Sequence, residues 1–385
     1  MGLLSRFQRN NATDPASDSN THATVTDSHT RKGPLVMNMS QRPTFRQWIR
    51  VTWLDLVTMV IMGVIGLGVY EAHPAASRSF PIYFQNGEIV YPQFAYPMRN
   101  EIVPIWLATF LAIMVPIAVF LICQIRVRSF WDLNNAIIGL VYALITAAVF
   151  QVFLKWLIGG LRPHFLAVCK PSVPAVTAQE TGNGLRQIMY DRRVCTGDQK
   201  QIDDSLESFP SGHSTAAFAG FVFLSLYLNA KLKVWSNYHP AMWKLIAIYA
   251  PILGATLIAG ALTIDEYHNW YDCLAGAMIG TMMAFSAYRM VYASIWDWRT
   301  NHIPLNRAVP FNGTGIELEH PVFTRQAGWG GAGGRSGGEK QVAGHGLQGG
   351  PIANEDYGQG QTSGVIRKPL GGTENHARAD LDNMV

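Results

Sequence analysis

Gln151-Val-Phe-Leu-Lys155-Trp-Leu-Ile-Gly-Gly-Leu-Arg162-Pro163 ends a long apolar run on two cations, seven residues apart. Seven residues make about two helical turns, so the spacing predicts Lys155 and Arg162 on nearly one helix face. Pro163 is expected to stop that helix, because the residue before a proline is pushed out of the α region. An isolated Lys or Arg at such a place commonly snorkels to a membrane interface. Two later stretches point instead to an anion site. Phe209-Pro210-Ser211-Gly212-His213-Ser214-Thr215 opens another apolar run. Ser211 reads as the cap of a helix whose free N–H groups and dipole favour a phosphate. Gly212 lets the anion come close, and His213 exchanges a proton near neutral pH. His268-Asn-Trp-Tyr-Asp272 then places an imidazole and a carboxylate at i and i+4. On one helix face, the carboxylate takes a hydrogen bond from one ring nitrogen and leaves the other as a nucleophile.

The distribution of charge sets the class. Only 15% of the 385 residues are charged, against about 25% in ordinary soluble proteins, and they collect at the chain ends and in a few loops. A formal charge of +4 without a basic stripe excludes a nucleic-acid-binding surface. The four cysteines lack metal-ligand spacing: Cys123 and Cys273 sit in apolar segments. Cys169 and Cys195 share one polar loop and can form a disulfide if it faces an oxidising compartment.

Apolar runs over 53–70, 102–124, 135–158, 211–228, 245–264 and 270–292 each approach the ~20 residues a helix needs to cross a bilayer. The fold class expected is therefore an all-α integral membrane protein, a six-transmembrane helical bundle. Residues 1–45 read as a disordered cytosolic arm without the apolar core of a signal peptide, 46–299 as the six-helix domain, and 300–385 as a Gly-rich disordered cytosolic tail. Arg42, Arg46 and Arg50, then Arg126 and Arg128, then Lys231, Lys233 and Lys244 mark cytosolic turns. Counting from them puts both termini in the cytosol, and the three motif-bearing ends meet on the opposite face. The sequons at Asn11, Asn38 and Asn312 then fall on the cytosolic side and are expected to stay unmodified.

Taken in order, Lys155-x6-Arg162-Pro163, Pro210-Ser211-Gly212-His213 and His268-x3-Asp272 resemble the type 2 phosphatidic acid phosphatase superfamily. Within it the chain is similar to the fungal-type lipid phosphate phosphatases, of the diacylglycerol pyrophosphate phosphatase kind, over roughly residues 50–295. The resemblance implies metal-independent hydrolysis of lipid phosphate monoesters or pyrophosphates, phosphatidate-type substrates, at the extracytosolic face through a phosphohistidine, with no cofactor. It assigns His268 as nucleophile, Asp272 as the group that fixes its tautomer, and His213 as the acid for the departing alkoxide and later the base for water. Lys155, Arg162, the Ser211 hydroxyl and the Gly212 N–H are implied to hold the phosphate oxygens.

One departure stands out: Ala261-Leu262 replaces the Ser-Arg with which the family's third motif begins. An arginine at 262 is implied to lie beside the phosphate, and His164, Lys170, Arg192 and Arg193 are the cations available as stand-ins. The departure keeps two alternatives open: a catalytically impaired homologue that binds phosphorylated lipid or acts as a membrane scaffold, and a transferase that passes a phosphoryl-linked head group between lipids. Tyr267, Trp270 and Tyr271 suit either a lipid head group or a plain aromatic belt. The partner expected is a phosphorylated lipid. Phosphatidate, diacylglycerol pyrophosphate, lysophosphatidate and sphingoid phosphates all stay open, as do endoplasmic reticulum, Golgi, vacuole and plasma membrane.

Overall fold

Each of the six apolar runs becomes a helix, and local capping explains why two of them, the first and the third, begin earlier than hydropathy alone places them. A computed structural model describes residues 42–72, 78–84, 87–173, 182–307 and 310–311. Most of the N-terminal arm, most of the tail and all three sequons lie outside the described residues. Helix α1, Phe45–Tyr70, starts at Thr44, whose backbone N–H donates to Gln47 Oε1 at 2.9 Å, a capping box eight residues ahead of the expected start. Helix α2 is Ile105–Val127, and α3, Phe130–Ile158, is capped by the Ser129 side chain, which accepts from Asp132 N. Two short helices, α4 (Phe165–Cys169) and α5 (Gln199–Ser205), sit in the long connection that follows. Helices α6 (Gly212–Leu232), α7 (Met242–Ile264) and α8 (Trp270–Val291) complete the set. Six of these helices are long and apolar enough to cross a bilayer, and the chain is an all-α, six-span integral membrane protein.

Helix α6 is the enclosed centre, in contact with α2, α3, α7 and α8. Lipid tails are as apolar as leucine, so helices in a membrane associate by close packing, which small residues permit. Gly276 of α8 shows this: a Cβ there would lie 2.5 Å from Ser211 O. That contact lets the start of α8 lie against the start of α6, where the site forms.

The two connections expected as plain polar loops fold together. Phe80, Ile82, Phe165, Val168, Tyr190, Ile202 and Leu206 form a second small core beyond the helix ends. Strands β1 (Phe80–Pro81) and β2 (Met189–Tyr190) pair antiparallel across it, and Cys169 and Cys195 are disulfide-bonded beneath. The apolar residues of this cap are too scattered in sequence to show a period, so hydropathy does not reveal it.

At the opposite end, Asp132 is a buried hub. It accepts from Lys231 Nζ at 2.5 Å, Tyr227 Oη at 2.9 Å, Tyr292 Oη at 3.1 Å and Gln124 Nε2 at 2.9 Å. Lys233 donates to Asn301 Oδ1 at 2.6 Å and to the Trp298 carbonyl, and lies 2.8 Å from His302 Nδ1. Burial, with the Lys231 charge next, holds Lys233 well below the usual lysine range. Lys231 and Lys233, which read as markers of a cytosolic turn, are thus internal. The packed chain also runs past Arg299: Asn301, His302 and Ile303 are buried, and Leu305 N bonds Val291 O. Its polar residues supply the acceptors that buried ammonium groups require. Lys231→Met strands the Asp132 carboxylate in the interior and should lower stability by about 3–5 kcal/mol. Thermal unfolding in detergent micelles measures this, and adding Asp132→Asn should restore much of the loss.

Candidate active site

Two glycines, rather than Pro163, end α3. Gly159 has φ 52° and ψ −146°, a conformation open essentially to glycine alone, and a Cβ there would lie 2.7 Å from Leu206 O. The chain leaves the helix at this point and pairs in parallel with the segment before α6. Gly160 N donates to Leu206 O at 2.7 Å, Ser208 N to Gly160 O at 3.0 Å, and Arg162 N to Ser205 O at 2.9 Å. Lys155 therefore comes from the last turn of α3, while Arg162 comes from the irregular segment after it, beyond the isolated parallel bridge of Gly160 with Glu207. The expectation that both lie on one helix face is corrected: the φ-positive glycines break the helix before Arg162.

The second and third motifs meet through backbone as well. Ser211 caps α6, its Oγ accepting from Ser214 N at 3.4 Å, and its own N–H donates to Asp272 O at 3.1 Å. Gln151 of α3 donates to Pro210 O at 3.0 Å, close to Gly212. His268 precedes α8 instead of lying on it, which corrects the i, i+4 reading. Asn269 is the N-cap and Asp272 the third residue, so the Asp272 carboxylate folds back to accept from Asn269 N at 2.9 Å. The same Oδ2 accepts from Ser208 Oγ at 2.5 Å. It stands 3.7 Å from His268 Nδ1, an electrostatic contact longer than a hydrogen bond. Ser208 Oγ is itself 3.5 Å from that nitrogen. Asn269 Nδ2 also donates to Leu161 O at 3.1 Å, tying the third motif to the first.

The rings of His213 and His268 stand edge to face, their planes 72° apart and their centroids 6.2 Å apart, and both are buried. Burial pushes His268 down to about 4; the Asp272 contact opposes this, and the Arg162 and Lys155 charges add to it. His268 is accordingly neutral at ordinary pH. His213 Nε2 makes no hydrogen bond within the protein and lies 3.8 Å from Glu101 Oε1. Both motif-one cations carry acidic partners. Arg162 Nη2 is 2.6 Å from Asp204 Oδ1 and its Nε donates to Asp204 O at 2.9 Å, while Lys155 Nζ is 4.0 Å from Glu207 Oε2. Burial raises Glu207, with Lys155 opposing.

Leu262 is fully buried in the last turn of α7, and its carbonyl accepts from the N–H groups of Tyr267 and His268, each at 3.1 Å. Position 262 thus supports the turn that carries His268 through its backbone. Of the four possible stand-in cations, His164 packs edge-on against Tyr267 and its Nδ1 lies 3.0 Å from Glu266 O. Burial holds His164 below the usual histidine range. Arg192 pairs with Asp203, while Lys170 and Arg193 are exposed. Arg162 lies over the Tyr267 ring at 5.3 Å, giving that aromatic a defined contact in the site. Beside the site, a cavity of about 360 Å³ is walled by Arg78, Phe80, Phe94, Gly160, Tyr271 and Asp272, among others, but by neither histidine. Trp270 is largely exposed on the outer face of α8.

Ser208, Asp204, Glu207 and Glu101 were not legible as site residues. Asn269 carried a signal of its own that the motif reading passed over, since Asn269-x-x-Asp272 before an apolar run is a cap signature.

Two imidazoles, a buried carboxylate and two cations meet at the end of a membrane-embedded helix bundle, a set chemically able to hold an anion and to do nucleophilic and acid/base chemistry. The PAP2 superfamily profile matches residues 136–296. A PA-phosphatase related-family protein of Dictyostelium discoideum is 34% identical over 255 residues, which are 66% of this chain and 72% of the relative. Lipid phosphate phosphatase 1 of Arabidopsis thaliana is 33% identical over 241 residues, 62% and 67% of the two chains. Diacylglycerol pyrophosphate phosphatase 1 of Saccharomyces cerevisiae is 29% identical over 247 residues, 63% and 80%. No solved structure matches. The chain belongs to the PAP2 superfamily, among its lipid phosphate phosphatases.

Gly159→Ala places a Cβ against Leu206 O in a glycine-only conformation. It should cost about 1–3 kcal/mol, read as a lowered thermal midpoint, and displace Arg162.

Proposed function

We propose that this protein hydrolyses phosphate monoesters or pyrophosphates of membrane lipids without a metal, through a phosphohistidine at His268. The observation that carries the reading is the pair of buried imidazoles set edge to face at the motif end of the bundle. With 6.2 Å between ring centroids, a reacting group can sit roughly 3 Å from each. His268 attacks phosphorus with the nitrogen turned away from Asp272, while Asp272 and Ser208 hold the ring from behind. The P–O bond to the lipid breaks, its electron pair stays on the lipid oxygen, and His213 supplies the proton. Water then attacks the phosphohistidine, gives its proton to His213 and releases phosphate. Lys155, Arg162 and the N-terminus of α6 at Ser211 and Gly212 stabilise charge on the phosphoryl oxygens. The Cys169–Cys195 disulfide lies in the cap beyond the same helix ends. It supports an extracytosolic orientation of the site, since disulfides persist where the compartment is oxidising.

A second reading, phosphorylated-lipid binding with little turnover, is favoured by two observations. Leu262 fills the position where the family resemblance implies an arginine, and both remaining cations face carboxylates. Phosphate release separates the readings.

For the purified protein, His268→Ala and His213→Ala should each abolish phosphate release from phosphatidate and diacylglycerol pyrophosphate while the protein still enters membranes, and wild-type activity should survive chelator. Because burial lowers His268 from 6.5 to about 4, the neutral nucleophile persists to that pH. The acid limb of kcat/KM should therefore fall near pH 4 instead of near 6.5. Binding of phosphorylated lipid by an inactive wild type is the result expected from the second reading.

A further inference from the structure

The stretch before α2 has no part in the three motifs, yet it forms a wall of the site. Arg99 Nε lies 3.4 Å from Glu266 Oε2, and Arg99 Nη1 donates to Ile264 O at 3.4 Å. Ile102 N donates to Asp265 Oδ2 at 3.1 Å. These contacts fasten residues 99–102 to the turn that presents His268. From there the stretch reaches His213 in two places: the Val103 backbone hydrogen-bonds the ring, and Glu101 Oε1 lies 3.8 Å from Nε2.

The surroundings give that carboxylate a task. The other charged or titratable groups acting on the His213 ring are Lys155 from the end of α3, Arg162 from the segment after it, and His268 from the turn before α8. Both cations repel an imidazolium, by Coulomb's law. Glu101 is the acidic side chain within ion-pair distance of the ring, and its own charged neighbours are Arg162, Asp204 and Asp265. At 3.8 Å it stands near enough to stabilise a charged ring, yet it does not close a hydrogen bond that would occupy Nε2. That nitrogen stays available to the leaving oxygen.

We propose that Glu101 is a positioning residue for His213, aiming its imidazole and favouring its protonated form against burial and the neighbouring cations, so that Nε2–H can protonate the departing lipid alkoxide. The inference rests on the phosphatase reading and deepens it. In the balanced step, the electron pair of the breaking P–O bond goes to the lipid oxygen. The Nε2 proton follows it, leaving a lipid alcohol and a neutral His213 beside the Glu101 carboxylate. The attacking water later returns a proton to Nε2, and the ion pair is restored. An alkoxide needs that proton to leave, whereas a phenolate does not.

The test uses leaving groups. Purified full-length wild type, Glu101→Gln and His213→Ala are compared on phosphatidate and on an aryl phosphate carrying a similar acyl chain. General-acid assistance is worth about 10²- to 10⁴-fold. Glu101→Gln should therefore lower kcat on phosphatidate by about 10-fold or more with little change in KM, and shift the alkaline limb of its pH profile to lower pH. The aryl phosphate should lose no more than about twofold. Glu101→Asp, which keeps the charge, should recover part of the loss and carries the comparison if the Gln variant does not fold. Equal loss on both substrates would reveal a merely structural residue and overturn the proposal, as would no loss on either. Hydrolysis of neither substrate by wild type would instead overturn the phosphatase reading, and this inference with it.

Discussion

Three backbone hydrogen bonds, from Gly160 N to Leu206 O, from Ser208 N to Gly160 O and from Arg162 N to Ser205 O, hold the site together. They exist because Gly159 turns α3 out of its helix with a conformation that other residues resist. Without that turn, Arg162 would run on along α3 and away from the start of α6. With it, Arg162 is carried to Asp204 and Tyr267, and Ser208 is set between His268 and Asp272. The Asn269 side chain bonds Leu161 O and Asp272 Oδ2 together, so the three motifs share one continuous network.

The bundle has two polar ends of different character. The Asp132 end is closed: its buried charges have full sets of partners, and the chain after α8 returns to supply several of them. Such an arrangement specifies helix register and resists change. At the motif end, polar atoms of His213 and Asp272 are buried without hydrogen-bond partners inside the protein.

Hydropathy showed the six spans because their apolar runs are long, and missed the first turns of α1 and α3 because Thr44 and Ser129 cap those helices before the apolar residues begin. The three motifs were legible because His, Asp, Lys and Arg are rare inside apolar segments. Their local geometry was not. His268 was placed on a helix although Asn269 carries the cap, and Pro163 was given the stop that Gly159 performs. The acidic groups around the cations were hidden for another reason: Asp204, Glu207 and Glu101 reach the site from a cap whose core joins residues far apart in sequence. No local period marks such contacts. The same holds for Leu262, where the side chain drew attention while the carbonyl makes the bonds.

The central claim is a covalent intermediate on His268, and trapping it is the most direct measurement. Purified protein is mixed with phosphatidate bearing a labelled phosphate, quenched in base within milliseconds, digested and sequenced by mass spectrometry. The account predicts an acid-labile phosphoryl group on His268, absent from His268→Ala and longer-lived in His213→Ala if that variant retains enough attack to form it. Labelled phosphate released at full rate with no phosphorylated His268 peptide at any quench time, or with the label on another residue, would contradict it.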